Sequence, residues 1–192
     1  MTRADVVASA VVVVPTAAED GAMDAKRELR ARQAPLKERY REDPDAAVTP
    51  AEARGSFADP GITATVEGWA GPVRAGLHLA TGGDGSDACS SDLLLQALLA
   101  CAGVTLRSVA TAMGLEVRAA ELRAEGVWDA RGTLGMDRTV PVGVLDVVVT
   151  AVLDTDADDA ALARLATGVE RFCVVGQSLA EPPEFEVVRA TR

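Results

Sequence analysis

Aromatic residues are scarce: Trp, Tyr and Phe together make up 3% of the 192 residues. A core must therefore be built from Val, Leu and Ala, and aromatic platforms for stacking nucleic-acid bases are not expected. Basic charge is also short. There are 19 Lys and Arg against 29 Asp and Glu, a formal net charge of −10. That balance argues against a duplex nucleic-acid partner, which needs a basic surface. No apolar run approaches the roughly 20 residues of a membrane span, so no membrane partner is expected. Lysine occurs only as Lys26 and Lys37, and histidine only as His78. Cysteine occurs three times, as Cys89, Cys101 and Cys173, so all three cannot pair within one chain. A disulfide-stapled secreted scaffold is thereby disfavoured, and a reducing, cytoplasmic setting with reactive thiols is expected. A zinc site built from the three cysteines and His78 has the right ligand count but neither C-x2-C nor H-x3-H spacing. What is present is ample: 48% hydrophobic residues allow one sizeable core, and 25% charged residues exclude wholesale disorder.

The chain opens with a short apolar run, Val6–Val14. Asp5 and the absence of an A-x-A site before Pro15 speak against a signal peptide, leaving a disordered leader or a stray strand. Met23 begins a well-patterned segment and is a natural alternative start. Residues 24–42, DAKRELRARQAPLKERYRE, read as a charged helix capped by Asp24 and kinked or split at Pro35. Its apolar positions are sparse, which suits a surface or a partner subunit. Three strands follow: a weak one at 51–57, then 62–66 and 73–79, the last two joined by a turn at 69–72. The Gly-rich stretch TGGDGSD lacks the Lys-Ser/Thr of a phosphate loop and reads as a connection.

Residues 91–113 form a helix that is apolar nearly all round. Ser90 or Ser91 can cap it, Asp92 suits its positive end and Gly114 is a good stop. Two long strands, 115–134 and 139–153, turn at Gly132–Met136. A second helix, Thr155–Phe172, is capped by Thr155 or Asp156. DTDADD lacks the sixth-position Gly of a calcium loop and has Leu165 where the bidentate Glu belongs, so it reads as a cap. After a break at Cys173–Val175 come a short helical turn and a last strand, Glu184–Arg189. The element order β-β-β-α-β-β-α-β describes an α+β domain.

Cys101 lies in the middle of the first long helix, with Leu94, Ala97, Leu98, Thr105 and Ser108 on its face. Two hydroxyls downstream can reach its sulfur. Cys173 closes the second helix at a kink, two residues after Arg171. Position alone leaves both open between reactive thiols and small core hydrophobes. Cys89, in the loop before the helix, reads as incidental.

The run CSSDLLLQALLAC, the helix to Gly114, the two strands, the second helix and RFCVVGQSL together resemble the OsmC/Ohr family over roughly residues 50–192. The resemblance implies an OsmC-like fold. This has an N-terminal β-meander, a long central helix carrying a cysteine, two long strands, a second central helix and an intertwined homodimer. It divides the chain into an N-terminal extension, 1–45, and an OsmC-like domain, 46–192. It implies a thiol-dependent peroxidase acting on organic hydroperoxides and hydrogen peroxide. Cys101 would be the peroxidatic cysteine and Cys173 the resolving one. Gln177 and Leu179 fit the family's tail. The family often has Cys-Pro-Val where this chain has Cys173-Val174-Val175. It also has a Glu ten residues before the first cysteine in one branch; here that position is Ser91, followed by Asp92. A regular helix sets Asp92 about 180° from Cys101, so it can assist only from an unwound turn. The family's activating arginine comes from the N-terminal strands, where Arg74 and Arg54 are the candidates.

An arginine is chemically apt, because the nucleophile is a thiolate and apolar burial opposes its charge. Peroxide attack would give a Cys101 sulfenic acid. Cys173 would condense with it, and an external dithiol of lipoyl type would reduce the disulfide. No cofactor or metal is implied. An apolar pocket from Leu94, Leu98 and partner residues would favour alkyl hydroperoxides. Two other classes remain: a relative without peroxidase activity that binds a small apolar ligand, and a structural oligomer in which both cysteines are core filler.

Overall fold

In the computed structural model, residues 17–191 are described. The apolar run Val6–Val14 lies outside them. Helix α1 spans Ala17–Glu42 without interruption and contains Pro35. The expected split at Pro35 is thus absent, and Met23 and Asp24 fall inside the helix rather than at its start. Asp24 does not cap but accepts from Arg27 Nη1 at 3.2 Å, one turn on.

Four short strands form the first sheet: β1 (Gly55–Ser56), β2 (Thr63–Gly68), β3 (Gly71–Gly76) and β4 (Ala88–Cys89), in that order. The tight turn at Trp69–Ala70 sets β2 against β3, with Val66 opposite Val73. Strand β4 runs parallel to β3. Phe57, Ile62 and Trp69, which flank these strands, stand exposed.

Helix α2 spans Ser90–Met113. Its N-cap is Cys89, one residue before the expected Ser90 or Ser91, and no side chain caps it. Ser91 Oγ instead lies 2.9 Å from Cys89 Sγ, which occupies the hydroxyl that would have capped. Gly114 ends the helix at φ 77°, a left-handed conformation that costs glycine little. By length and composition α2 is apolar enough to cross a membrane. The expectation that no stretch approaches a span is corrected here: Gln96, Thr105, Arg107 and Ser108 break the strict run without making the helix polar. Leu98, Ala102, Leu106 and Ala110, each four residues apart, form one fully buried stripe.

The second sheet is β5 (Ala119–Val127), β6 (Leu145–Asp154) and β7 (Glu184–Arg189). The expected strands 115–134 and 139–153 are shorter than read. Asp129 accepts from Arg131 N–H and starts a turn of helix, α3 (Ala130–Thr133), so the chain leaves the sheet at Val127. Strand β6 alternates strictly, burying Val147, Val149, Ala151 and Leu153. It pairs antiparallel with β5 and parallel with β7. A parallel neighbour needs a crossover, and α4 (Asp159–Phe172) supplies it.

Helix α4 is capped by Asp158, whose Oδ1 accepts from Ala161 N–H at 2.7 Å. The predicted caps serve elsewhere. Thr155 is buried and donates to the Glu116 carbonyl at 2.6 Å, while Asp156 and Asp154 hold the Arg118 guanidinium. Leu162, Leu165 and Val169 of α4 meet the α2 stripe and the inner face of β6 in one core, with Cys173 completing it. At the other end of α2, Lys26 Nζ donates to the Met113 carbonyl at 3.2 Å and ties α1 to the body.

Candidate functional site

The contact between α2 and the end of α4 brings together the two cysteines that the sequence singled out. Cys101 sits on the flank of the buried stripe, half-buried beside fully buried Ala102. Cys173 is the C-cap of α4, with no exposed surface. Helix α4 stops there because Cys173 leaves helical geometry at φ −74°, ψ 103°. Its N–H still bonds back to the Val169 carbonyl at 2.9 Å, and its own carbonyl accepts from Gln177 N–H at 2.9 Å. The chain therefore folds over the α2 flank in a tight turn, and Gly176 N–H reaches Cys173 Sγ at 3.4 Å.

Both thiols are free, and Cys101 packs against the core cluster to which Cys173 belongs. Their acidities are driven apart. Burial pushes the Cys101 thiol up, but hydrogen bonds from the Val175 N–H, the Cys173 thiol, the Thr105 hydroxyl and the Val174 N–H outweigh it. The net result lies below the ordinary cysteine value. For Cys173 burial dominates. Gly176 N–H pulls its acidity the other way, but the bond to Cys101 and the negative charge there raise it further. The pair thus holds one thiol more acidic and one less acidic than an ordinary cysteine.

The other predicted residues do not join this pair within the protomer. Asp92 is exposed in the first turn of α2. Arg74 Nε lies 3.1 Å from Asp87 Oδ1, and Arg54 pairs with Glu52 on an exposed segment. The leading influences on Cys101 include no cation. Leu98, expected in a substrate pocket, is fully buried and faces the core, because it belongs to the stripe that includes Ala102. Leu94 and Val104 remain open on α2, 37% and 74% exposed. Thr105 acts as its spacing suggested, one turn from Cys101. Sequence reading missed the Gly176 N–H, which reaches the Cys173 sulfur. Among the described residues, no three His, Cys, Asp or Glu side chains converge as a metal site.

The family model for OsmC-like proteins matches residues 83–188, a stretch holding α2, both cysteines and the second sheet. The chain belongs to the OsmC-like family. No curated protein matches the sequence. Among solved structures, an OsmC-like protein from Mycoplasma pneumoniae is 12% identical with a TM-score of 0.58, over 74% of this chain and 96% of that one. An organic hydroperoxide resistance protein from Elizabethkingia anophelis is 13% identical with a TM-score of 0.58, over 75% and 99%. An organic hydroperoxide resistance protein from Legionella pneumophila is 14% identical with a TM-score of 0.53, over 76% and 99%. At these identities the likeness establishes a shared OsmC-like α+β fold.

Proposed function

We propose that this OsmC-like protein is a thiol-dependent peroxidase that reduces organic hydroperoxides, and hydrogen peroxide less readily, through Cys101 and Cys173. The observation that carries this reading is the packing of Cys101 against the core that holds Cys173, with the two acidities driven apart, Cys101 down and Cys173 up. The Cys101 thiolate attacks the distal peroxide oxygen. The O–O bond breaks, the alkoxide takes a proton and leaves as alcohol, and Cys101 becomes a sulfenic acid. Cys173 then attacks that sulfur. The S–S bond forms and the sulfenic oxygen departs as water. An external dithiol, lipoyl-type in the reading favoured here, reduces the disulfide and is itself oxidised to a disulfide. Such a cycle belongs in a reducing compartment, in keeping with a cytoplasmic protein.

The working unit in this reading is an intertwined homodimer. Two surfaces support it: the open apolar flank of α2 at Leu94 and Val104, and the exposed Phe57, Ile62 and Trp69 beside the strands of the first sheet. A second copy would cover both, place apolar side chains over the Cys101 flank and so favour alkyl peroxides.

Free thiols counted before and after one equivalent of cumene hydroperoxide test the proposal. Loss of two thiols per chain in the wild type, with turnover abolished in Cys101→Ser, is the expected result. Unchanged thiols would leave a ligand-binding or structural role in its place.

A further inference from the structure

Helix α1 is held to the body only near its start. Met23 and Lys26 pack on Gly114 at the end of α2, and Lys26 Nζ bonds the Met113 carbonyl. Further along, every residue from 34 to 45 is exposed, although the helix continues to Glu42. A helix is stabilised mainly by packing one face, and this half carries such a face. At 100° per residue, Leu29, Leu36 and Tyr40 fall within about 40° of one another. Leu36 is 45% and Tyr40 36% exposed. Arg32 and Arg39 line one side of this apolar seam, Arg30 and Lys37 the other, and all four are exposed. The acids Glu28, Glu38 and Glu42 lie toward the back. Residues 24–42 hold seven Lys and Arg against four Asp and Glu, in a chain whose net charge is −10.

The second sheet carries the inverse pattern on its outer face. Strand β6 turns Val147, Val149, Ala151 and Leu153 into the core, so alternation sets Val148, Thr150 and Val152 on the outer side, where they are half-buried. Glu125 and Glu121 of β5 stand opposite Val148 and Val152. On the other side, Glu184 and Glu186 of β7 stand opposite Val148 and Thr150. All four carboxylates are exposed. Arg123, on the same face, is held by Glu125 at 2.7 Å. The two glutamate rows are separated by two strand spacings, roughly 10 Å, which is the width of a helix.

We propose that the second half of α1 docks along β6 on the outer face of the second sheet of a second copy of this chain. Leu36 and Tyr40 then cover Val148 and Val152, and the two basic flanks meet the two glutamate rows. The charge pattern selects the occupant. Two α1 helices side by side would set like charges together, whereas an apolar row between carboxylates matches an apolar seam between cations. The sheet is the partner's because α1 is tied to α2, and α2 packs on the inner face of its own sheet. The outer face of that sheet lies a layer away. Two such contacts, each copy giving its α1 and receiving the other's, close a two-fold dimer. This interface is separate from the flank of α2 and does not depend on peroxide chemistry.

The test is hydrogen exchange of residues 29–42 in the full chain, above and below the dissociation constant measured by sedimentation. The segment should be protected in the dimer and exchange freely in the monomer. Leu36→Glu and Glu184→Lys/Glu186→Lys change exposed residues, so both variants should fold. Each should lose the protection and raise the dissociation constant roughly tenfold or more, while Leu36→Met keeps both. Added salt should weaken the wild-type contact. Protection that ignores concentration, wild-type affinity in both charge variants, or a monomer at every concentration would overturn the proposal. Protection gained only with an added oligonucleotide would overturn it too, by assigning the basic seam to nucleic acid. Thiol loss to cumene hydroperoxide is read separately, so failure here leaves the peroxidase reading standing.

Discussion

Cys173, the fully buried C-cap of α4, belongs to the core against which Cys101 on the flank of α2 packs. Their acidities give the two thiols an order: at Cys101 burial is outweighed by hydrogen bonding and the thiol is easier to ionise than usual, whereas burial makes Cys173 harder to ionise. Limiting iodoacetamide at neutral pH should therefore label Cys101 first and Cys173 last. Lowering the pH should slow Cys101 only once it falls below that residue's depressed value. Peptide mapping of partly labelled protein checks this, and prior labelling of Cys173 would contradict the assigned polarity.

A stability prediction separates the observed cap of α4 from the two expected ones. Asp158 accepts from Ala161 N–H, so Asp158→Ala should cost about 1 kcal/mol. In a chain of this size that lowers the melting temperature by roughly 3 °C. Asp156→Ala removes one arm of an exposed pair with Arg118 and should cost less. Calorimetry of the two variants decides; a larger loss for Asp156→Ala would return the cap to the position the sequence suggested.

That cap illustrates what was legible. Periodicity found α2 to within one residue and β7 at its observed limits, because burial imposes a period on side chains. Caps were misplaced because Thr155, Asp156 and Asp158 are all competent caps, and tertiary partners, the Glu116 carbonyl and Arg118, claimed the first two. Strand 115–134 was overread because nothing local distinguishes Trp128–Asp129 leaving the sheet from continuing it. At the site, the sequence pointed to both cysteines and to Thr105. It could not tell whether Arg54 or Arg74 had a nearer carboxylate.

The exposed flank of α2 makes the dimer testable without touching either thiol. Val104 is one turn from Cys101 and 74% exposed in the protomer. If a second copy covers it, Val104→Glu buries an unpaired carboxylate at the interface. The dissociation constant should rise by roughly a hundredfold or more. Sedimentation at micromolar concentration should then give a dimer for wild type and a monomer for the variant. A monomeric wild type would remove the partner from the proposed pocket.

Cys173→Ser should separate the first oxidation from its resolution. Cys101 itself is untouched, so peroxide still converts it to a sulfenic acid. No second sulfur is then in reach: Cys89 lies at the other end of twelve helical residues, held near Ser91 Oγ at 2.9 Å. A Cys89–Cys101 bond would require the first turns of α2 to unwind. The sulfenic acid should therefore accumulate, be trapped by dimedone on Cys101, and advance to sulfinic acid under excess peroxide. Recycling by an added dithiol should fall well below wild type. In the wild type the turn is anchored by Cys173 N–H on Val169 and packed at Gly176, so disulfide closure has to move Cys173 against those contacts. Closure should consequently be slower than sulfenic-acid formation. Rapid-quench mapping of wild type should show dimedone-reactive Cys101 before any Cys101–Cys173 bond. Detection of a Cys89–Cys101 bond in its place would transfer the resolving role to Cys89.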